Sequence, residues 1–240
     1  NTYNAGIEAL EQGDVLFAAK NFNTVENLYP QSIWASRSIL MAAYSYYSQD
    51  YYGDAISEVK RFLRNYPANE NIAYAHFLLG ICYYELIVDE KKDLSPLLNS
   101  KKYFNIVINE YPNTDFALDA KFKLDLIANV LASKEVYIGK YYISRKKWIP
   151  AINRFKNVIN KYEKTEYVEE AMHRLVEINY MIGLENEAKK YATLLGYNYQ
   201  SSEWYKESYR VFNKNYENSK EKIKKEKQNV LIRNFKKLFK

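Results

Sequence analysis

A tyrosine closes a thirteen-residue apolar block at four places in the chain, and in three of them proline follows it. The blocks run Ala18 to Pro30, Ala55 to Pro67, Ser100 to Pro112 and Ala151 to Glu163. Their first residues are small, their fifth are Phe22, Val59, Phe104 and Phe155, and their eighth are Val25, Phe62, Val107 and Val158. Positions 1, 5 and 8 form one stripe of a helix, so each block predicts an amphipathic helix with one buried face. The proline stops that helix, because it lacks an N–H and biases the residue before it out of the helical region. A motif that recurs at this scale commits the chain to stacked helical units, since one such unit cannot bury its own stripe.

A second helical pattern precedes each block and places small residues where two helices must approach. His76, Leu79, Gly80 and Tyr83 follow the spacing W-x2-L-G-x2-Y, and Ile138, Gly139 and Tyr142 match it again. Ala5, Gly6 and Ala9, and Leu40, Met41 and Tyr44, are looser copies, while Tyr180, Gly183, Ala188, Ala192 and Leu195 suggest a fifth pair. The chain thus resembles tetratricopeptide-repeat proteins. The resemblance implies an all-α superhelix of about five helical hairpins with first helices lining the concave face. The expected repeats are about 2–30, 33–67, 71–112, 114–163 and 166–198, within a domain of 1–212. Tyr83 to Ser100 is eight residues longer than the regular spacing, so Asp89 to Asn99 reads as an exposed loop. Between Asn113 and Ile138 there is neither Gly nor Pro, and a helical face persists. One long helix from about Thr114 to Ser144 is expected to join repeats three and four.

Composition agrees with this class. Hydrophobic residues make up 48% of the 240, and the 7 Gly and 5 Pro are too few for the turns of a many-stranded sandwich or barrel. No stretch approaches the roughly 18 uninterrupted apolar residues of a membrane-spanning helix. Of the net charge of +6, the segment from Asn213 to Lys240 carries +7 and the rest carries −1. A near-neutral body argues against a nucleic-acid-binding domain. Catalytic constellations are scarce as well. His76 takes the large-residue slot of a repeat and His173 lies far from it, while Cys82 sits in an apolar run that predicts burial. Without ligand spacing, a phosphate-cradling loop or a nucleophile motif, no catalytic, cofactor or metal site is expected.

The 25 tyrosines point toward binding, although repeat packing accounts for many of them equally well. With regular repeat geometry the concave positions are Tyr3, Ile7, Ser38, Ser45, Tyr46, Tyr74, Phe77 and Tyr84, a groove suited to an extended peptide with aromatic side chains. In the tail, Val230, Leu231, Ile232, Phe235, Leu238 and Phe239 form an apolar stripe beside Lys224, Arg233, Lys236 and Lys237. Such a basic amphipathic C-terminal helix, taken as an extension over 213–240, fits docking on the protein's own body, on a partner or on an anionic membrane. A solvated tail fits the composition too.

The linear order of motifs resembles the BamD/ComL family of tetratricopeptide lipoproteins. It rests on Tyr3-Asn4-Ala5, Leu10-Glu11-Gln12-Gly13, Ala43-Tyr44, Phe62-Leu63-Arg64-Asn65-Tyr66-Pro67 and Tyr74-Ala75 with Leu79-Gly80. Tyr111-Pro112-Asn113-Thr114 follows, and the most specific stretch is Tyr141-Tyr142, Lys147-Trp148, Ala151, Asn153-Arg154 and Val158. The resemblance implies a non-enzymatic scaffold of the outer membrane β-barrel assembly complex, on the periplasmic face. Its implied partners are the barrel-forming subunit, accessory lipoproteins and unfolded outer membrane proteins. It also implies a membrane anchor through a lipidated cysteine upstream of Asn1, since Cys82 is interior. Arg145, Trp148 and Arg154 become candidates for the partner interface, and an ion pair inside the repeat is the other reading of Arg154. Another tetratricopeptide adaptor, periplasmic or cytoplasmic, is the alternative function.

Overall fold

The computed structural model describes residues 2–87 and 93–213, and its regular structure there is entirely helical. The helices are α1 (Thr2–Glu11), α2 (Val15–Leu28), α3 (Ile33–Tyr47), α4 (Tyr52–Asn65), α5 (Ile72–Glu85), α6 (Ser95–Glu110), α7 (Asp115–Ser144), α8 (Trp148–Lys161), α9 (Tyr167–Met181), α10 (Glu185–Asn198) and α11 (Glu203–Phe212). Helices pack on their sequence neighbours, α1 on α2, α3 on α4, α5 on α6 and α9 on α10. The chain divides into a unit of residues 1–130 and one of residues 131–240, with the boundary inside α7. The expected basic helix of the tail, with Lys224, Leu231, Arg233, Phe235, Lys236 and Lys237, lies outside the described residues.

One register runs through both units. Phe22, Phe104 and Phe155 are fully buried, and each ring lies against a glycine of the preceding helix. A Cβ added at Gly6, Gly80 or Gly139 would stand 2.8, 2.7 or 2.6 Å from the ring of Phe22, Phe104 or Phe155. Burying each phenylalanine contributes roughly 1.5–3 kcal/mol, and only glycine lets the backbone approach so closely. In the second hairpin the same two positions hold Ala43 and Val59, both fully buried in one cluster. The smaller side chain on α4 leaves room for the methyl on α3. Gly6, Ala43 and Gly80 are spaced 37 residues apart, as are Gly139 and Val176.

Second helices end alike. Tyr29, Tyr66, Tyr111, Tyr162 and Tyr199 all leave the helix at φ between −139° and −130°, and each donates its N–H to the carbonyl four residues back. Glu163 and Gln200 follow the last two where the others have proline, so proline reinforces this stop without being required for it. The rings of Tyr66, Tyr162 and Tyr199 join the buried clusters, and the Tyr66 hydroxyl donates to the Pro30 carbonyl at 3.2 Å, tying one hairpin's exit to the next. α7 begins one residue after the expected start, with the Thr114 hydroxyl accepting the Ala117 N–H.

The expected loop over Asp89 to Asn99 is corrected in part. Ser95 to Asn99 form the first turn of α6, where the Asp93 carboxylate accepts the Ser95 N–H at 2.8 Å and Pro96 falls in the first turn. Leu97 is buried, so part of the insertion lengthens a helix that has core to reach.

The turns inside four hairpins contain a residue at positive φ, seven positions after the register residue: Gly13 (81°), Asp50 (64°), Lys146 (55°) and Gly183 (82°). The left-handed conformation costs an L-residue about 1–2 kcal/mol, and lysine has none of the local compensation that aspartate has. Lys146→Gly is therefore expected to stabilise the C-terminal unit by about 1 kcal/mol, net of the added freedom of the unfolded chain. Thermal unfolding checks this, and an unchanged or lowered midpoint would refute it.

Candidate functional site

The first helices of the N-terminal unit border a cleft of about 310 Å³ lined by Tyr3 of α1, Arg37, Leu40 and Met41 of α3, Glu70 and Asn71 just before α5, and Tyr74 in its first turn. Its floor is apolar, because Leu40 is nearly buried and Met41 half-buried. At its rim Arg37 faces Glu70 at 3.7 Å, with both side chains largely exposed. Such a pair is weak in solvent, worth at most about 1 kcal/mol, so it yields readily to a ligand charge. Tyr3 packs against Phe22 and Trp34, with ring centroids 5.3 and 5.0 Å away. Burial raises the pKa of Tyr3, with Arg37 opposing, and pushes Tyr74 up to about 12. Both hydroxyls thus stay neutral donors at physiological pH. The stability that comes from burying neutral Tyr74 is complete below pH 10 and is lost as pH rises from 10 through 12.

Beyond Tyr74 the aromatic surface continues. Tyr74 and Phe77 each lie 5.5 Å from Phe116 of α7, Phe77 also touches Phe104, and the Lys123 ammonium stands 4.4 Å from the Tyr84 ring centroid. His76 sits between Tyr103 and Tyr111 as a half-buried packing residue, and burial lowers its pKa. Buried Cys82 has its thiol pushed up to about 12.

The structure brings Tyr3 and Tyr74 into the cleft and corrects the positions taken from α3. Ser38 and Ser45 are fully buried, and Tyr46 packs into the clusters between hairpins beside Tyr51. Ile7 packs against the first cluster. The reason is rotation: Ser38 and Ser45 stand 37 residues before Ala75 and Cys82, both fully buried, whereas Arg37 and Leu40 stand 37 before Tyr74 and Phe77. One position of slip turns a helix by 100° and exchanges a groove side chain for a packing one. The 37-residue spacing of Gly6, Ala43 and Gly80 is the sequence signal that locates Arg37 and Leu40, whereas Met41 stands 37 before buried Leu78 and is not placed by it.

In the C-terminal unit Arg154 is engaged internally, which favours the ion pair inside the repeat over the partner contact, the two readings its sequence context left open. Its guanidinium donates to both Glu135 carboxylate oxygens at 3.1 and 3.4 Å, and Asn157 donates to the same carboxylate, joining α8 to α7. Trp148 is half-buried against the core of that unit. Arg145 is exposed and lies over the Tyr141 ring at 5.6 Å. Exposed Tyr137, Tyr141 and Ile149 flank the same α7–α8 turn, and of these the sequence singles out Tyr141 alone, within the stretch that carries the family resemblance. Further along, Arg174 of α9 pairs with Glu170 and Glu177, and Lys140 of α7 reaches Glu170 at 2.8 Å. Burial would raise the Glu177 carboxyl, but hydrogen bonds from His173 and Arg174 outweigh it and hold the pKa low. These pairs tie α9 to α7 and brace its own turns.

Comparison with known proteins identifies the family. The family model described as YfiO, an outer membrane lipoprotein, matches residues 1–194. The outer membrane protein assembly factor BamD of Rickettsia prowazekii is 42% identical over 216 residues, covering 90% of this chain and 86% of the relative. The protein of the same name from Caulobacter vibrioides is 39% identical over 213 residues, covering 89% and 70%. That from Neisseria gonorrhoeae is 30% identical over 183 residues, covering 72% and 68%.

Proposed function

The chain belongs to the YfiO family of outer membrane lipoproteins, and from that premise we propose that it is an outer membrane protein assembly factor, acting as a scaffold of the β-barrel assembly complex. The observation that carries the proposal is the cleft on the first helices of the N-terminal unit, with an apolar floor, two neutral tyrosines and an exposed Arg37. That combination suits the aromatic end of an unfolded outer membrane protein, whose ring fits the floor and whose terminal carboxylate pairs with the guanidinium. The assignment to the outer membrane comes with the family. Anchoring through a lipidated cysteine upstream of Asn1, on the periplasmic face, belongs to the same proposal, and so does a non-enzymatic role.

A photo-crosslinker at Met41 is expected to capture an unfolded outer membrane protein in living cells, while one at buried Ser38 captures none. Capture at neither position, with a working control elsewhere, would sink the proposal. The barrel-forming subunit is assigned to the α7–α8 turn of the C-terminal unit, where Arg145 rather than Arg154 is exposed. Arg145→Glu should lower co-purification of that subunit at least about tenfold with an unchanged helical signal, as expected when a charge in an interface is inverted. Arg154→Glu would instead set two carboxylates against each other and destabilise the hairpin, so loss of partner there carries no information about the interface.

A further inference from the structure

α11 repeats α3 in its details. In α3 the Ser32 hydroxyl accepts the Trp34 N–H at 3.0 Å, and in α11 the Ser202 hydroxyl accepts the Trp204 N–H at 3.1 Å. Trp34 stands nine residues before Ala43, and Trp204 nine before Asn213, which is 37 after Val176. The fully buried Ser38 has its counterpart in the fully buried Ser208, whose hydroxyl lies 2.9 Å from His173 Nδ1 of α9. α11 thus occupies the place of a first helix in the repeat register. What differs is its second neighbour. Ile39 of α3 is fully buried beside Val59 and Phe62 of α4, whereas the equivalent Tyr209 is 56% exposed. Beside it a groove of about 470 Å³ opens between α10 and α11, whose lining includes Gly196, Tyr197, Tyr205, Tyr209 and Phe212 together with Lys189.

We propose that the chain's own basic C-terminal segment fills this groove as the second helix of a sixth hairpin. The sequence beyond Asn213 carries the apolar part of the second-helix spacing: Ile232, Phe235 and Phe239 stand at intervals of three and four, as do Phe155, Val158 and Tyr162, with Gln228 where the other blocks have a small residue. Ile232 follows Asn213 by 19 residues, against 16 from Gly139 to Phe155 and 24 from Gly80 to Phe104, so the connection lies within the range this chain already uses. In the same frame Arg233 and Lys237 take the positions of exposed Lys156 and Asn160, which keeps their charges in water while the stripe is buried. The segment leaves directly from the end of α11, and its span of about 60 Å when extended reaches any point along that helix. This assignment moves the segment from an appendage on the repeats to their closing element, the role terminal caps fill in stacked repeat proteins. It rests on the C-terminal unit alone and is independent of what the N-terminal cleft binds.

A photo-crosslinking residue in place of Tyr209, in the full chain, is expected to yield an intramolecular product with residues 228–240. Yield should persist at about 1 M salt, because apolar burial is not screened. The same residue in place of exposed Tyr137 should yield none. Phe235→Glu should speed amide exchange in α11 by about tenfold or more, since it removes at least the burial of one large side chain, while Lys237→Glu should leave it unchanged. Equal capture at both positions, loss of capture at high salt, or α11 exchange indifferent to Phe235→Glu would each overturn the proposal. So would loss of the Tyr209 product on adding phosphatidylglycerol vesicles, which would make the stripe a membrane-binding element.

Discussion

Gly139→Ala is expected to destabilise the C-terminal unit by about 1–3 kcal/mol, the usual cost of forcing a methyl into a filled core. The added Cβ would meet three Phe155 ring atoms at 2.6, 2.8 and 2.9 Å, and that ring is fully buried and has nowhere to turn. Phe155→Val is expected to cost about 2–4 kcal/mol by itself, from lost burial plus the cavity it leaves between α7 and α8. Combined, the two substitutions recreate the Ala43 and Val59 pair that the second hairpin uses at the same positions. The double variant should therefore be more stable than the sum of the single effects predicts by about 1–2 kcal/mol, a coupling that only residues in contact display. Chemical denaturation of the four proteins in one cycle measures it. Additive effects would show that each helix tolerates its own residue independently and that the register is not held by matched pairs.

That register also decides what the sequence makes legible. Helix stripes survive single-sequence reading because burial imposes them on every copy, so the tyrosine-closed blocks and the extent of α7 follow from periodicity alone. Groove positions need the rotation of each helix to better than 100°, and the serine-rich α3 gives little contrast between its faces. Taking Ser38 and Ser45 as groove residues misplaces them, since small polar residues in this repeat mark close helix contact, as Ala75 and Cys82 do one repeat later. Arg154 was legible as a carboxylate-pairing residue, inside the repeat or across an interface, but its partner was not, because Glu135 lies 19 residues away on a helix whose facing becomes known only from the packing. Glu70 and Asn71 enter the cleft from the end of a connection, where no periodic signal exists.

Arg37→Glu should reduce affinity for a peptide ending in an aromatic residue by about tenfold or more, because one charge-assisted contact is removed and a repulsion is put in its place. In the free protein the guanidinium faces exposed Glu70 at 3.7 Å and lies over the Trp34 ring at 5.8 Å, so its pairing with a ligand carboxylate gives up one weak, solvent-exposed ion pair. Glu70→Gln should accordingly strengthen binding by a small factor, since it removes the competing anion without touching the floor. Met41→Glu acts by a different route, placing a charge on the half-buried apolar surface, and should weaken the aromatic contact by a similar or larger factor. Amidating the peptide's terminal carboxylate separates the two routes. It should cost the wild-type protein and Met41→Glu about tenfold, but strengthen binding to Arg37→Glu, because it removes the repulsion from the introduced carboxylate. The wild-type affinity should also fall with salt more steeply than that of Arg37→Glu, as an exposed pair is screened over about 8–10 Å. Fluorescence anisotropy with labelled peptide reads all of these. Equal losses on amidation in every variant would detach the carboxylate from Arg37 and leave the cleft as an aromatic-binding surface without polarity.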